Sequence, residues 1–228
     1  MATITFHGHA CFTVDTRDGT RLLIDPFLSG NPLADIGPDE VGDVHYILLS
    51  HGHGDHLGDA IPIAKRTGAT VISTFEIVSF LSQEKGVKNV HPLHIGGGHD
   101  FPFGRVKMTP ALHGGAVEGD TGKYTTVPGG FLITVEGKGI YHAGDTALLK
   151  DMELLAGQVK VALLPIGDNF TMGPDDAARA VEMIRPEVVV PMHYDTFELI
   201  RQDPKTFAEK VGDRARVVIL KPGQSHDV

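Results

Sequence analysis

Cysteine is almost missing from this chain. Cys11 is the only one in 228 residues, so no internal disulfide can form. Stability must come from burial, and a reducing, cytoplasmic setting is the expectation. No run of about 18 apolar residues occurs, so no membrane-spanning helix is expected. The opening MATITFHGHACF has no basic segment leading into an apolar stretch, so no secretory signal is expected either. Basic residues are outnumbered, 20 against 29 acidic ones, and form no block. A formal net charge of -9 repels long polyanions, which makes nucleic acid an unfavourable partner. No linker and no solenoid-type repeat interrupts the sequence.

What the chain does have is a large apolar fraction and many histidines. Hydrophobic residues make up 41%. At this length roughly 70% of the unfolded surface can be buried, so one domain over residues 1–228 is expected. Thirteen histidines is a high number for this length. Neutral imidazole is a common metal ligand, and bound cations would offset part of the negative charge.

The first part reads as short strands: Thr3 to Phe6, Cys11 to Val14, and Arg21 to Ile24 after an Asp18-Gly19 turn. Tyr46 to Leu49 is a further apolar strand. A helix is expected over Leu57 to Arg66, a strand over Ala69 to Ile72 and a helix over Phe75 to Glu84. Gly114 to Gly129 has no helical or strand period and reads as a loop. Phe131 to Val135 and Gly139 to His142 form a hairpin. The last third alternates: strand Val161 to Leu164, helix Pro174 to Ile184, strand Val188 to His193, helix Pro204 to Val211 and a final strand Arg216 to Leu220. Pro174 suits the first turn of its helix. Hairpins early and strand–helix alternation late imply two sheets with helices outside.

The chemistry concentrates in Ser50-His51-Gly52-His53-Gly54-Asp55-His56. Four metal-capable side chains fall within six positions, directly after an apolar strand that can hold them rigidly. Two small glycines permit the tight turn that such convergence needs. Zn²⁺ accepts imidazole and carboxylate, and Mn²⁺ or Fe²⁺ also accept such a set. His113, Asp145 and His193 each follow or close an apolar strand, where loops of layered folds converge. Seven ligands suit two metals better than one. Asp145 is the candidate bridge, because a carboxylate spans two cations more readily than neutral imidazole. A water shared between them would be acidified and attack as hydroxide. The residues alone lead to a hydrolytic dinuclear site, with the pairing of ligands left open.

These segments, together with Leu112-His113, Ala143-Gly144-Asp145-Thr146 and Pro191-Met192-His193-Tyr194, resemble the metallo-β-lactamase superfamily. Phe6-His7-Gly8-His9-Ala10, Leu23-Ile24-Asp25-Pro26 and Pro128-Gly129-Gly130-Phe131 are similar to its small UPF0173 metal-dependent hydrolase group. The likeness spans nearly the whole chain. It implies an α+β fold, a four-layer αββα sandwich with the metals at one edge of the two sheets. It implies that His51, His53 and His113 bind one metal, that Asp55, His56 and His193 bind the other, and that Asp145 bridges. The resemblance also makes a homo-oligomer plausible. It leaves the bond open: a small ester, lactone or phosphodiester, with a nuclease or cyclic-nucleotide phosphodiesterase as the alternative enzyme, and a metal-binding regulatory protein as the non-enzymatic one. A shared fold hosts many substrates.

Around these ligands, His9 matches a family position near the site and is a candidate to orient substrate or donate a proton, alongside Asp55 and Asp145 as catalytic residues. Asp25 is a candidate to support the metal loop through a hydrogen bond. Asp168 and Asn169 either border the site or belong to a capped connection, and Tyr194 either contacts substrate or packs. His7 is a weaker site candidate than His9. His142 reads as structural, Cys11 as buried, and His226-Asp227-Val228 either completes the pocket or frays as a terminus.

Overall fold

The computed structural model describes residues 1–120 and 122–228. In chain order, the first half contains strands β1 (Thr3–Phe6), β2 (Phe12–Asp15), β3 (Arg21–Ile24) and β4 (Tyr46–Leu48). Helices α1 (Gly54–Leu57) and α2 (Ala60–Thr67), strand β5 (Thr70–Thr74), helix α3 (Phe75–Gln83) and strand β6 (Val90–Leu93) follow. The second half contains β7 (Gly98–Phe101), β8 (Gly104–Pro110), the small pair β9 (Val117–Gly119) and β10 (Gly122–Tyr124), then β11 (Gly129–Val135) and β12 (Lys138–His142). After these come β13 (Val161–Pro165), α4 (Pro174–Ile184), β14 (Val188–Met192), α5 (Pro204–Val211), β15 (Arg216–Val217) and β16 (Ser225–Asp227).

Two seven-stranded sheets result, ordered β16-β1-β2-β3-β4-β5-β6 and β15-β14-β13-β12-β11-β8-β7. Each is built the same way. An antiparallel meander (β1-β2-β3 in one, β7-β8-β11-β12 in the other) passes into parallel strands. Parallel neighbours need crossovers, and α2, α3, α4 and α5 lie in those of β4–β5, β5–β6, β13–β14 and β14–β15. Strand periodicity sorts the side chains. Leu22, Ile24 and Leu48 join the core shared with the second sheet, whereas Leu23, Ile47 and Leu49 join a separate cluster with Ile63, Ile77 and Phe80 of α2 and α3. Ala177, Val181 and Ile184 of α4 and Phe207 and Val211 of α5 lie against the other sheet. Helices therefore flank a two-sheet core, the four-layer α+β sandwich expected from the family likeness. Each fully buried Leu, Ile or Phe contributes about 1.5–3 kcal/mol.

Pro174 and Pro204 begin α4 and α5, where a missing N–H costs nothing. Asp203 adds a cap by accepting from Lys205 N at 2.9 Å. Among the described residues no helix is long and apolar enough to cross a membrane.

Four segments differ from expectation. The helix expected from Leu57 to Arg66 is broken into α1 and α2 by Gly58, at φ 41°. The Pro26–Phe27 backbone passes so close that a Cβ at Gly58 would collide with it. Asp59 fixes that approach by accepting from Leu28 N (3.1 Å) and Ser29 N (2.7 Å). The expected loop from Gly114 to Gly129 carries the β9–β10 pair; Thr121, within it, lies outside the described residues. The final strand stops at Val217. The C-terminal residues do not fray: β16 pairs antiparallel with β1, His226 opposite Ile4, and Val228 N donates to Ala2 O at 2.9 Å.

Candidate metal centre

Strand direction explains why seven dispersed residues meet. In the first sheet β1, β3, β4 and β5 run the same way, and in the second so do β8, β12, β13 and β14. Their C-terminal ends carry His9, Asp25, the His51–His56 loop, His113, Asp145 and His193. The loops are held tightly. His193 N donates to His9 O at 2.7 Å, tying one sheet to the other. His9, Asp25 and His193 sit in the left-handed region at φ 57°, 44° and 56°. Such backbone costs about 1–3 kcal/mol per residue and concentrates at functional sites. Gly144 reaches φ 61° beside Asp145, and a Cβ there would lie 2.8 Å from Gly129 O.

Three groups of potential ligand atoms each fall within 4.8 Å: His51, His53 and His113; His9, Asp55, His56 and His193; and His51, His56 and Asp145. The Asp145 carboxylate lies between the first two. Its Oδ1 is 3.2 Å from His56 Nε2, and its Oδ2 is 3.0 Å from His193 Nε2 and 3.5 Å from His113 Nε2. Asp145 Oδ1, His56 Nε2 and both nitrogens of His193 are buried without an aligned hydrogen bond. Such atoms cost about 1–3 kcal/mol each when left unsatisfied. Coordination to cations would satisfy them, and an imidazole–carboxylate set fits Zn²⁺, Mn²⁺ or Fe²⁺.

Burial alone would raise the Asp145 carboxyl, but the His56 and His193 imidazoles outweigh it and hold it well below the usual range. Burial lowers His51, with His56 adding to the effect. His56 is itself raised, because Asp145 and Asp25 overcome its burial. The pocket thus favours positive charge opposite Asp145.

Behind the ligands stands a buried chain. Asp25 Oδ2 is 2.8 Å from His56 Nδ1 and accepts from Ser50 Oγ at 2.6 Å; Asp25 Oδ1 accepts from Ser50 N at 2.8 Å. Ser50 Oγ is 3.0 Å from His51 Nδ1. A carboxylate only accepts. His56 therefore carries its proton on Nδ1, and Ser50, donating to Asp25, accepts from His51 Nδ1. Each Nδ1 is thus engaged behind the cluster, which leaves Nε2 of His51 and, once a cation displaces its second proton, Nε2 of His56 to face a metal.

A second relay surrounds His9. Its Nε2 is 3.2 Å from Asp55 Oδ2 and its Nδ1 is 2.8 Å from Thr196 Oγ1. The acceptor-only carboxylate places the proton on Nε2, so the Thr196 hydroxyl donates to Nδ1. Burial brings His9 down to about 4 despite its bond to Asp55, so it is neutral at pH 7. Asp55 is held well below the usual carboxyl range, since its bond to His9 and the His56 charge overcome burial. Its side chain is 31% exposed, against 3% for Asp145.

The remaining candidates separate from the cluster. Asp168 and Asn169 are exposed after β13, both left-handed at φ 58° and 43°. The turn they form touches the site's surroundings through Met172 N, which donates to Thr146 O at 3.0 Å. Tyr194 packs half-buried against the core; burial, aided by Asp195 and Asp203, pushes its hydroxyl up to about 12. His7 bonds Asp35 and Thr13, away from the cluster. His142 bonds Ala10 O and Gly144 N, and Cys11 is buried with its thiol pushed up by desolvation. Sequence reasoning missed Ser50 and Thr196 as positioning groups. Ser50 adjoins His51, which was a usable signal. Thr196 meets His9 across 187 positions, for which the sequence carries none.

Comparison with known proteins agrees with this geometry. Residues 20–194 match the model of the β-lactamase superfamily domain. A UPF0173 metal-dependent hydrolase of Heliobacterium modesticaldum is 52% identical over 99% of this chain and 97% of its own length. One from Bacillus thuringiensis subsp. konkukian is 49% identical over 97% of this chain and 98% of its own. Among solved structures, Igni18, described as a novel metallo hydrolase from the hyperthermophilic archaeon Ignicoccus hospitalis, superposes with a TM-score of 0.89 at 38% identity, covering 99% of this chain and 97% of that one. The fold and site thus define a protein of the β-lactamase superfamily, and the chain belongs within it to the UPF0173 metal-dependent hydrolases.

Proposed function

We propose that residues 1–228 act as one hydrolase domain holding two divalent cations, Zn²⁺ or Mn²⁺ with Fe²⁺ also accommodated, and that it cleaves a small ester, lactone or phosphodiester. The supporting observation is the position of Asp145, whose carboxylate lies within 3.5 Å of histidines from two separate ligand groups. In this reading His51, His53 and His113 hold one cation, Asp55, His56 and His193 the other, and Asp145 contacts both. Such ions acidify water and polarise a substrate oxygen.

The chain's own residues do the rest. Asp25 and Ser50 fix the tautomers of His56 and His51. Asp55, the carboxylate of the cluster that reaches solvent, orients the attacking water. His9 is a positioning residue: it has no exposed surface and both its nitrogens are engaged, so it acts through Asp55 and not on substrate. On this reading His9 positions Asp55, where the sequence alone suggests that it orients substrate or donates a proton.

The test is a panel of phosphodiesters, lactones, thiolesters and activated esters, assayed after separate reconstitution with Mn²⁺ and Zn²⁺. The expected result is a metal-dependent rate confined to one bond class and lost in His51→Ala. Equal rates in the variant would refute the proposal.

A further inference from the structure

We infer that the substrate is an uncharged carbonyl compound carrying an apolar group, and that Phe27 and Phe197 form the wall on which that group lies. The inference rests on the hydrolase reading above and selects among its bond classes.

Two independent observations carry it. The first is an aromatic surface in contact with the cluster. Phe27 and Phe197 have ring centroids 6.2 Å apart, and each lies 5.6 Å from the His9 ring. His9 in turn packs on His193 at 4.0 Å and bonds Asp55. Phe197 is 40% exposed, and the same edge displays Leu112 at 63%, Phe170 at 52% and Leu199 at 66%. Leu112 adjoins His113, and its N–H donates to Thr146 beside Asp145. Large apolar side chains gathered on one exposed edge mark a binding surface, whereas scattered ones do not.

The second observation is the missing cation. At positions 7–11, 25–44, 49–59, 111–116, 143–149, 166–173 and 193–200 the segments around the cluster contain no lysine or arginine, while Lys123 lies further along the His113 connection on β10 and Lys150, just past Leu149, pairs with Glu153. The acids within these segments include Asp55 and Asp145 of the cluster and Asp195, whereas Asp35 is held by His7 and Asp59 by the Leu28–Ser29 backbone. Arg201, just past the last loop, shares a surface depression with Asp195 and Asp203. Phosphate recognition ordinarily recruits Arg or Lys forks. Here an anionic part of a substrate beyond the metals would find no cation within these loops, whereas a neutral alkyl or aryl group would find a ready surface. For an ester, water's oxygen bonds to the carbonyl carbon, the C–O bond to the alcohol breaks, and the departing alkoxide takes the proton that water loses.

The experiment uses the metal-loaded full chain and three substrates with one leaving group: 4-nitrophenyl acetate, 4-nitrophenyl hexanoate and bis(4-nitrophenyl) phosphate. Binding of 4-phenyl-2-butanone, a neutral ketone that cannot be hydrolysed, is measured in parallel by calorimetry. The hexanoate KM should fall about tenfold or more below that of the acetate, since each buried methylene favours binding. Phe197→Ala should weaken ketone binding and raise the hexanoate KM by about tenfold, with metal content near wild type. The phosphodiester should be the poorest of the three by kcat/KM. Equal KM for both esters, ketone binding unaffected by Phe197→Ala, or a preferred phosphodiester would each overturn the inference while leaving metal-dependent hydrolysis intact. So would a change of oligomeric state in Phe197→Ala with unaltered ketone binding, which would assign the apolar edge to a second copy. Ketone binding that depends on Phe197, without turnover of any substrate, would sink the hydrolase reading and keep the apolar site.

Discussion

Asp25 and His56 form a fully buried pair, Oδ2 to Nδ1 at 2.8 Å, with neither side chain exposed. The same Asp25 oxygen accepts from Ser50, which stands against His51. One carboxylate, thirty-one positions before His56, thus bears on the orientation of two histidines that the proposed function gives to different metals.

Asp25→Asn keeps the shape but brings an amide that donates as well as accepts. Metal affinity should fall about 10–100-fold. Chelator competition measures it, with circular dichroism reporting whether the fold survives. Wild-type affinity in a folded variant would show that the pair does not govern the ligands.

Thr196→Val removes the hydroxyl that donates to His9 Nδ1. A buried nitrogen left without its partner costs about 1–3 kcal/mol, read by denaturant unfolding. The ring would lose one of the two bonds that orient it toward Asp55, so kcat should fall more than KM changes. Thr196→Ser, which restores the donor, should recover most of both losses.

The acid limb of stability in the metal-free protein carries the signature of His9. Its folded pKa, about 4, lies below the unfolded value of 6.5. Above pH 6.5 both states are neutral there. Between pH 6.5 and 4 only the unfolded state takes up the proton, so stability falls as pH falls, by up to about 3 kcal/mol. His51 and His142, also lowered, add to the same limb. Unfolding free energies at pH 7 and pH 4.5 should therefore differ less in His9→Gln than in wild type. An identical slope in the variant would mean that His9 is not held neutral.

Removing residues 225–228 strips β16 from β1 and exposes Ile4 and its neighbours along a bare sheet edge. An unpaired edge invites association with other chains. The truncated protein should unfold at lower denaturant and aggregate in light scattering. Unchanged behaviour would demote the C-terminal strand to decoration.

Much of this was readable because the signals are local. The short continuous apolar runs at Leu22–Ile24 and Val161–Leu164 mark strands, and Pro174 marks a helix start. His51 to His56 declares itself by density alone. The illegible parts depend on distant partners. Nothing near Gly58 reveals that the Pro26–Phe27 backbone will press on it and split a helix. Nothing in the tail reveals that His226 will pair with Ile4. His9 looked like a candidate for touching substrate, and only the approach of Asp55 and Thr196 shows both its nitrogens occupied. Asp168 and Asn169 shared the strand-end placement of the ligands, yet their loop turns them to the surface.

The most direct test is the number of metal ions bound per chain, measured by plasma mass spectrometry after reconstitution and desalting, in wild type and in Asp145→Ala. Two ions per chain are expected in wild type, with both weakened together in the variant, because one carboxylate lies against both ligand groups. A single ion in wild type, or loss of only one in Asp145→Ala, would contradict the shared centre.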